Sequence, residues 1–344
     1  MTFNQKKGLL LNLWGLINPS KKQKLIILLF LTLIGGFAEI LSIGSVVPFV
    51  ASITSQDTLY NHPVMADFHE LFNVGSPDDL ILPMTLIYIA LAILAGAIRT
   101  VLLKYGTTLS FAVGVDLDVL TYKHYVYQDY EEYINSNTSE AMSVITKKNT
   151  IINSSIIHAF ITLLSASLMA AIVLSVLILI NPFVSMVIFF IIGGIYLLVS
   201  RVTREIISNN GEVISSNSDH MLKNMQETFG SFRDVTIDKS QKIFIKNFSV
   251  FDEKVKKSEA SNVFISQSPR LIIESLGMVL IATTAYLLST MDSDFGVMPV
   301  LALLAVTAQR LMPLFQQIYF SISNLNSAFP VLRDVLAIVV KEKN

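Results

Sequence analysis

The stretch from Asn149 to Ser200 contains no Lys, Arg, Asp or Glu. A water-soluble domain cannot present fifty-two consecutive uncharged, mostly apolar residues. One bilayer crossing, at about 20 residues, cannot use them all. Asn181-Pro182 falls inside the run, and an Asn-Pro pair initiates turns, so the segment reads as two spans folded back on each other. Four further apolar runs carry one charge each: Leu25–Val50 holds Glu39, Ile81–Leu103 holds Arg99, Leu271–Met291 holds Glu274 and Phe295–Leu332 holds Arg310. The expectation is an all-α, polytopic membrane protein with six transmembrane helices, at about 25–50, 81–105, 156–180, 183–203, 269–291 and 295–320.

Composition narrows the function classes. Charged residues make up 15% of the chain, against roughly 25% in a soluble domain. With 25 Lys+Arg against 26 Asp+Glu there is no basic excess to meet nucleic-acid phosphates. Cysteine is absent, so no disulfide scaffold is possible. The histidines (His62, His69, His124, His158, His220) have no metal-ligand spacing, and no nucleophile–base constellation is visible. Neither a metal nor a catalytic residue is expected in this chain.

Basic residues set the orientation. Lys6, Lys7, Lys21, Lys22 and Lys24 precede the first span, and Lys104, Lys123, Lys147 and Lys148 follow the second. Arg201, Arg204 and others up to Lys257 follow the fourth. The segment Ala51–Leu80 has no Lys or Arg and five acidic residues. Both termini are therefore expected in the cytoplasm. Residues 1–24 read as an in-plane helix, with Leu9, Leu10, Leu13, Trp14 and Ile17 largely on one face. Residues 25–340 form the transmembrane domain, and 341–344 a short tail.

Two long cytoplasmic segments, about 106–155 and 201–268, contain no proline and few glycines, so continuous helix is expected. Each has one interruption. Asn135-Ser136-Asn137 breaks the first, with Asn137 and Glu140 spaced as a capping box, and Gly230-Ser231 breaks the second. At 1.5 Å per residue the helices would reach some 30 Å beyond the bilayer. Gly35-Gly36 and Gly193-Gly194 lie within apolar spans, where small residues serve helix packing.

In organisation the chain resembles the transmembrane domain of an ABC exporter. Asp129-Tyr130-Glu131-Glu132-Tyr133 and Phe232-Arg233-Asp234 are similar to that family's two coupling helices, which would seat on a nucleotide-binding domain. Phe37-Ala38-Glu39, Ser268-Pro269-Arg270-Leu271, Glu274-Ser275-Leu276-Gly277 and Arg310-Leu311-Met312-Pro313 resemble bacterial flippases of lipid-linked oligosaccharides. That likeness implies a homodimer in the bacterial inner membrane, moving an anionic, pyrophosphate-linked lipid. No G-x-x-x-x-G-K-[ST] occurs, so ATP and magnesium are expected on a nucleotide-binding domain that is a separate polypeptide or a severed continuation of this one. Two other readings share this topology: an exporter of a peptide or plain lipid, and a non-transporting scaffold.

Ionisable groups at bilayer depth are functional candidates by default. Counted from its span's outer end, Arg99 lies about 24 Å deep and Arg310 about 20 Å. Arg270 falls near the inner edge of span five. Arg99, Arg270 and Arg310 are therefore expected around one inner-leaflet cavity, where guanidinium forks suit phosphate oxygens. Glu39, about 21 Å from the cytoplasmic side, comes out some 15 Å from Arg99 in depth, which argues against a direct pair. Arg270 and Glu274, four residues apart, can pair along one helix face. Glu39 and Glu274 are expected to be structural. Pro48, Pro299 and Pro313 are expected to kink their spans.

Overall fold

The computed structural model describes residues 3–65, 68, 72, 74–135, 138–180, 182–289 and 297–339, with some side chains inside these ranges left aside. Among the described residues there is no strand. The N-terminal helix α1 (Phe3–Leu16) leads into α2 (Pro19–Gly44), which starts with Asn18 as its cap and Pro19 in its first turn. There the missing proline N–H leaves no helical bond unmade. Ser45 separates α2 from α3 (Val46–Thr54), so the first expected span is two helices. The next segment folds into α4 (Gln56–Tyr60) and short 3-10 turns, the second of them (Pro77–Leu80) capped by a reciprocal Ser76–Asp79 box. Leu59, Val74, Leu80 and Met84 bury a small core there.

The long helix α5 (Ile81–Tyr127) has 47 residues, about 70 Å at 1.5 Å each, or more than twice the ~30 Å hydrocarbon core. It ends before Gln128, and α6 (Tyr130–Asn135) follows at the distal end. The break thus precedes the Asp129–Tyr133 motif, and Ser136 and Asn137, where it was expected, lie outside the described residues. The chain returns through α7 (Thr138–Ser143), a π turn at Val144–Lys148, α8 (Asn149–Ile152), a second π turn at Asn153–His158 and α9 (Ala159–Ile180). Gly114 of α5 faces this second π turn: a Cβ on it would lie 2.5 Å from the Asn153 side chain.

Three more long helices follow: α10 (Pro182–Gly230), α12 (Gln241–Ser289) and α13 (Val297–Val339). The short α11 (Phe232–Ile237) sits between α10 and α12. Gly230 ends α10 as expected. A second break follows at Lys239, whose φ of 54° is left-handed, a conformation uncommon outside glycine. The break at Ser45 lies three residues before Pro48, which has no N–H to offer the Gly44 carbonyl four residues back, in line with the expected kink of the first span. Pro299 stands two residues past the first described residue of α13. Pro269, Pro313 and Pro330 lie inside helices.

The last helix, α13, is the hub, packing against α9, α10, α12 and α3. Gly211 of α10 meets the backbone carbonyl of Ser327 so closely that an added Cβ would collide with it. Asn210 Nδ2 donates to Asn262 Oδ1 at 2.8 Å, and Asn262 Nδ2 to Ser327 Oγ at 2.9 Å, tying the three helices at that crossing. A buried Lys148 pairs with Asp219 at 2.8 Å, and Ser143 Oγ donates to the same carboxylate at 2.7 Å. The first extension is thereby fastened to the second.

Among the described residues three helical stretches are long and apolar enough to cross a membrane: Pro19–Thr54, Pro77–Tyr127 and Ala141–Ser175. The other expected spans fall on α10, α12 and α13, each of which includes side chains outside the described set. The tail at 341–344, the turn residue Asn181 and the segment 290–296 also lie outside it.

Candidate functional site

Glu39 is 2% exposed, in the second half of α2. Its Oε1 lies 3.0 Å from Arg310 Nε of α13 and 3.6 Å from Arg99 Nη1 of α5. Three helices thus contribute one carboxylate and two guanidiniums, a cluster with a formal charge of one positive unit. The sequence explains how they come so near. Gly35 and Gly36 sit one turn before Glu39; a Cβ on Gly35 would lie 2.6 Å from Leu102, and one on Gly36 2.7 Å from Ile172. The two missing side chains let α5 and α9 close against α2, and Leu102 is three residues past Arg99 on α5.

This pairing overturns the depth argument against a Glu39–Arg99 contact. Helical side chains lean toward their helix N-terminus. In antiparallel neighbours they therefore lean toward each other, so Arg99 of α5 and Glu39 of α2 converge. Helix ends are also poor markers of depth here, since α2 begins six residues before Leu25 and α5 continues 24 residues past Leu103.

The expectation of three converging arginines is corrected as well. The structure brings Arg99 and Arg310 together but leaves Arg270 elsewhere. Arg270 Nε lies 3.9 Å from Glu274 Oε2 along α12, with the side chains 57% and 47% exposed. That is the one-face pair its spacing suggested, apart from the Glu39 cluster.

Beside Arg99 a cavity of about 370 Å³ opens between α2, α5, α9 and α13. Its polar lining includes Thr32, Thr100, Thr107, Thr162, His158 and Gln317. Apart from His158, weighed only as a metal ligand, none of these residues was singled out in the sequence. Thr100 and Thr107, seven apart on one helix face, were the available signal. Glu39 Oε2 and Thr307 Oγ1, one turn before Arg310, are buried without a hydrogen-bond partner among the described residues. Chemically the cluster can hold an anion; among the described residues no metal-binding group of His, Asp and Glu occurs.

The distal elbows form a second candidate site. Asp129 and Tyr130 are exposed beside α6, as are Phe232, Arg233 and Asp234 on α11. Glu131 is exposed too; Glu132 and Tyr133 lie on α6 with side chains outside the described set. Val235 alone of the α11 turn is buried, so it anchors the short helix while its neighbours face outward. Both elbows thus present aromatic and charged groups at the far ends of long helices.

Comparison with proteins of curated function finds no match. The family model describing the ABC transporter transmembrane region does match, over residues 25–318. That range opens where α2 becomes apolar and closes beyond Arg310, so the three residues of the charge cluster and both distal elbows fall within it. Such a domain is the membrane-spanning permease of an exporter and works with a nucleotide-binding ATPase domain, and this chain belongs to the ABC transporter transmembrane family.

Proposed function

We propose that the chain is the permease half of an ATP-driven flippase that moves an anionic, pyrophosphate-linked lipid across the bacterial inner membrane. It would work as a homodimer of six-span subunits with both termini cytoplasmic. The carrying observation is the excess positive charge of the Glu39–Arg99–Arg310 cluster beside a hydroxyl-lined cavity. A charge buried in hydrocarbon costs several kcal/mol unless compensated. Glu39 compensates one arginine and leaves the equivalent of one for an anionic headgroup. The threonines and Gln317 supply neutral donors and acceptors of the kind a glycan or diphosphate needs.

Dimerisation is supported by the distal part of α5. Phe111, Val115, Val119, Tyr122 and Val126 are exposed there, at spacings of three and four that form one stripe. Phe111 lies 30 residues into the helix, about 45 Å, well past the ~30 Å hydrocarbon core, so acyl chains are not what covers the stripe. Tyr130 and Phe232, exposed at the elbows, suit docking on the ATPase domain. ATP and magnesium would be bound there; no Gly-Lys dipeptide occurs in this chain.

The variant that separates binding from folding is Arg99→Gln, because it keeps the closer Glu39–Arg310 pair and removes the excess charge. In vesicles with the ATPase partner supplied, flipping of a pyrophosphate-linked lipid should fall about ten- to a hundredfold, the loss of one charge-assisted contact. Insertion and dimerisation should be unchanged. Full flipping activity in Arg99→Gln would end the anionic-lipid reading.

A further inference from the structure

The proposed function uses the interior of the helix bundle; a separate cleft lies on its outer face. The cleft, of about 490 Å³, is walled by α1, α2 and α9, with Leu11, Trp14, Ile26, Phe160 and Leu164 among its apolar lining. That volume lies in the ~300–1,000 Å³ range of small-molecule pockets. Two cations belong to it: Lys7 and Lys22. Lys22 Nζ sits 5.2 Å from the centre of the Trp14 ring. No Asp or Glu is among the residues lining it. Lys22 stands three residues before Leu25, where the apolar run of α2 begins, and Phe160 and Leu164 stand at the start of the expected third span. Both walls therefore meet the membrane at the same, cytoplasmic surface. Leu11, Trp14, Ile26 and Leu164 are exposed, so the cleft opens sideways.

We infer that this cleft is a binding site for one anionic phospholipid of the cytoplasmic leaflet. One acyl chain lies between α1 and α9, and the headgroup phosphate sits between the Lys7 and Lys22 ammonium groups. The charge pattern selects this occupant. A helix from another protein would fill the apolar part and leave two ammonium groups unmatched. A zwitterionic lipid brings a cation of its own to the same place. The anionic lipid matches both halves, and its acyl chain replaces the contacts that an apolar helix face otherwise lacks.

Trp14 is the single tryptophan, so its fluorescence reads this cleft alone. The full chain is reconstituted in phosphatidylcholine vesicles containing equal small fractions of chain-brominated phosphatidylglycerol or chain-brominated phosphatidylcholine. At low salt the brominated anionic lipid should quench Trp14 at least about fivefold more effectively, the preference that a single basic residue at a charged surface already gives. Lys7→Gln, which leaves the Lys22–Trp14 contact in place, should reduce the ratio, and Lys7→Gln/Lys22→Gln should bring it close to one. Lys123→Gln, outside the cleft, should leave it unchanged. Equal quenching by the two lipids in the wild type would overturn the inference, because Trp14 would then be sampling bulk bilayer. Quenching by neither would overturn it too, since protein would then cover the cleft. None of these readouts depends on flipping, so they stand or fall separately from the charge cluster.

Discussion

Two Glu–Arg groupings occur in the apolar helices, and they could hardly differ more. Glu39 is buried and shared by Arg310 at 3.0 Å and Arg99 at 3.6 Å, each from another helix. Glu274 is half exposed and lies 3.9 Å from Arg270, one turn away on its own helix. The first grouping binds three helices at one point. The second neutralises a single helix face, the kind of pair worth only a few tenths of a kcal/mol. A glutamate and an arginine in a span thus carry no fixed meaning; the number of helices they join decides it.

The sharpest way to break that contrast is Glu39→Gln. Removing one partner of a buried ion pair costs about 3–5 kcal/mol, and here it strands two guanidiniums against each other. Thermal unfolding of the purified protein should show a loss of at least about 3 kcal/mol. A silent Glu39→Gln would mean that the arginines are hydrated and the cluster holds nothing together.

Replacing Arg310 tests the geometry of the cluster. Arg310→Lys keeps the charge but loses the planar fork, so flipping should be impaired and only partly retained, with stability reduced by about 1 kcal/mol. Lysine tolerated at full activity would reduce Arg310 to a snorkelling charge.

Another buried charge, Lys6 of α1, lies between the two extremes. Its Nζ donates to Asn326 Oδ1 at 2.6 Å and stands 4.8 Å from the Phe329 ring centre, with no carboxylate among these partners. Burial, helped by the nearby positive charge of Arg204, pushes its pKa from 10.5 down to about 8. The folded protein therefore releases this proton at lower pH than the unfolded chain does. Between about pH 8 and 10.5 the unfolded state binds more protons, so this group makes stability rise with pH across that window, and the cost of the charge is fully present below it. Unfolding measured against pH should show the rise in the wild type and lose it in Lys6→Met.

The smallest effect belongs to the exposed pair. Glu274→Gln should change stability by less than about 0.5 kcal/mol, measured in the same thermal assay. A larger loss would show that α12 meets another chain at this face and that the pair is buried in the assembly.

Much of the architecture could be read in the chain. The uncharged run Asn149–Ser200 and the singly charged runs marked apolar helices, because membrane crossing depends on local length and polarity. Both distal elbows were legible too, and the structure adds a break at Gln128, ahead of the Asp129–Tyr133 motif. The glycine pairs were legible only in part. Gly35 and Gly36 are tight against Leu102 and Ile172, whereas Gly193 and Gly194 meet nothing within 4 Å among the described residues. Two identical dipeptides in apolar spans thus differ by the face their helix turns toward its neighbours.

By itself the sequence determined that the chain is a helical membrane protein, where its long helices run and which ionisable groups travel into the apolar spans. Those properties follow from hydrophobicity and charge summed over neighbouring residues. Only the tertiary structure decided that Glu39 takes both Arg99 and Arg310 while Arg270 stays with Glu274. That choice depends on helix rotation, on the close approach that Gly35 and Gly36 permit, and on antiparallel side chains leaning toward one another, none of which a count of residues along a single span contains.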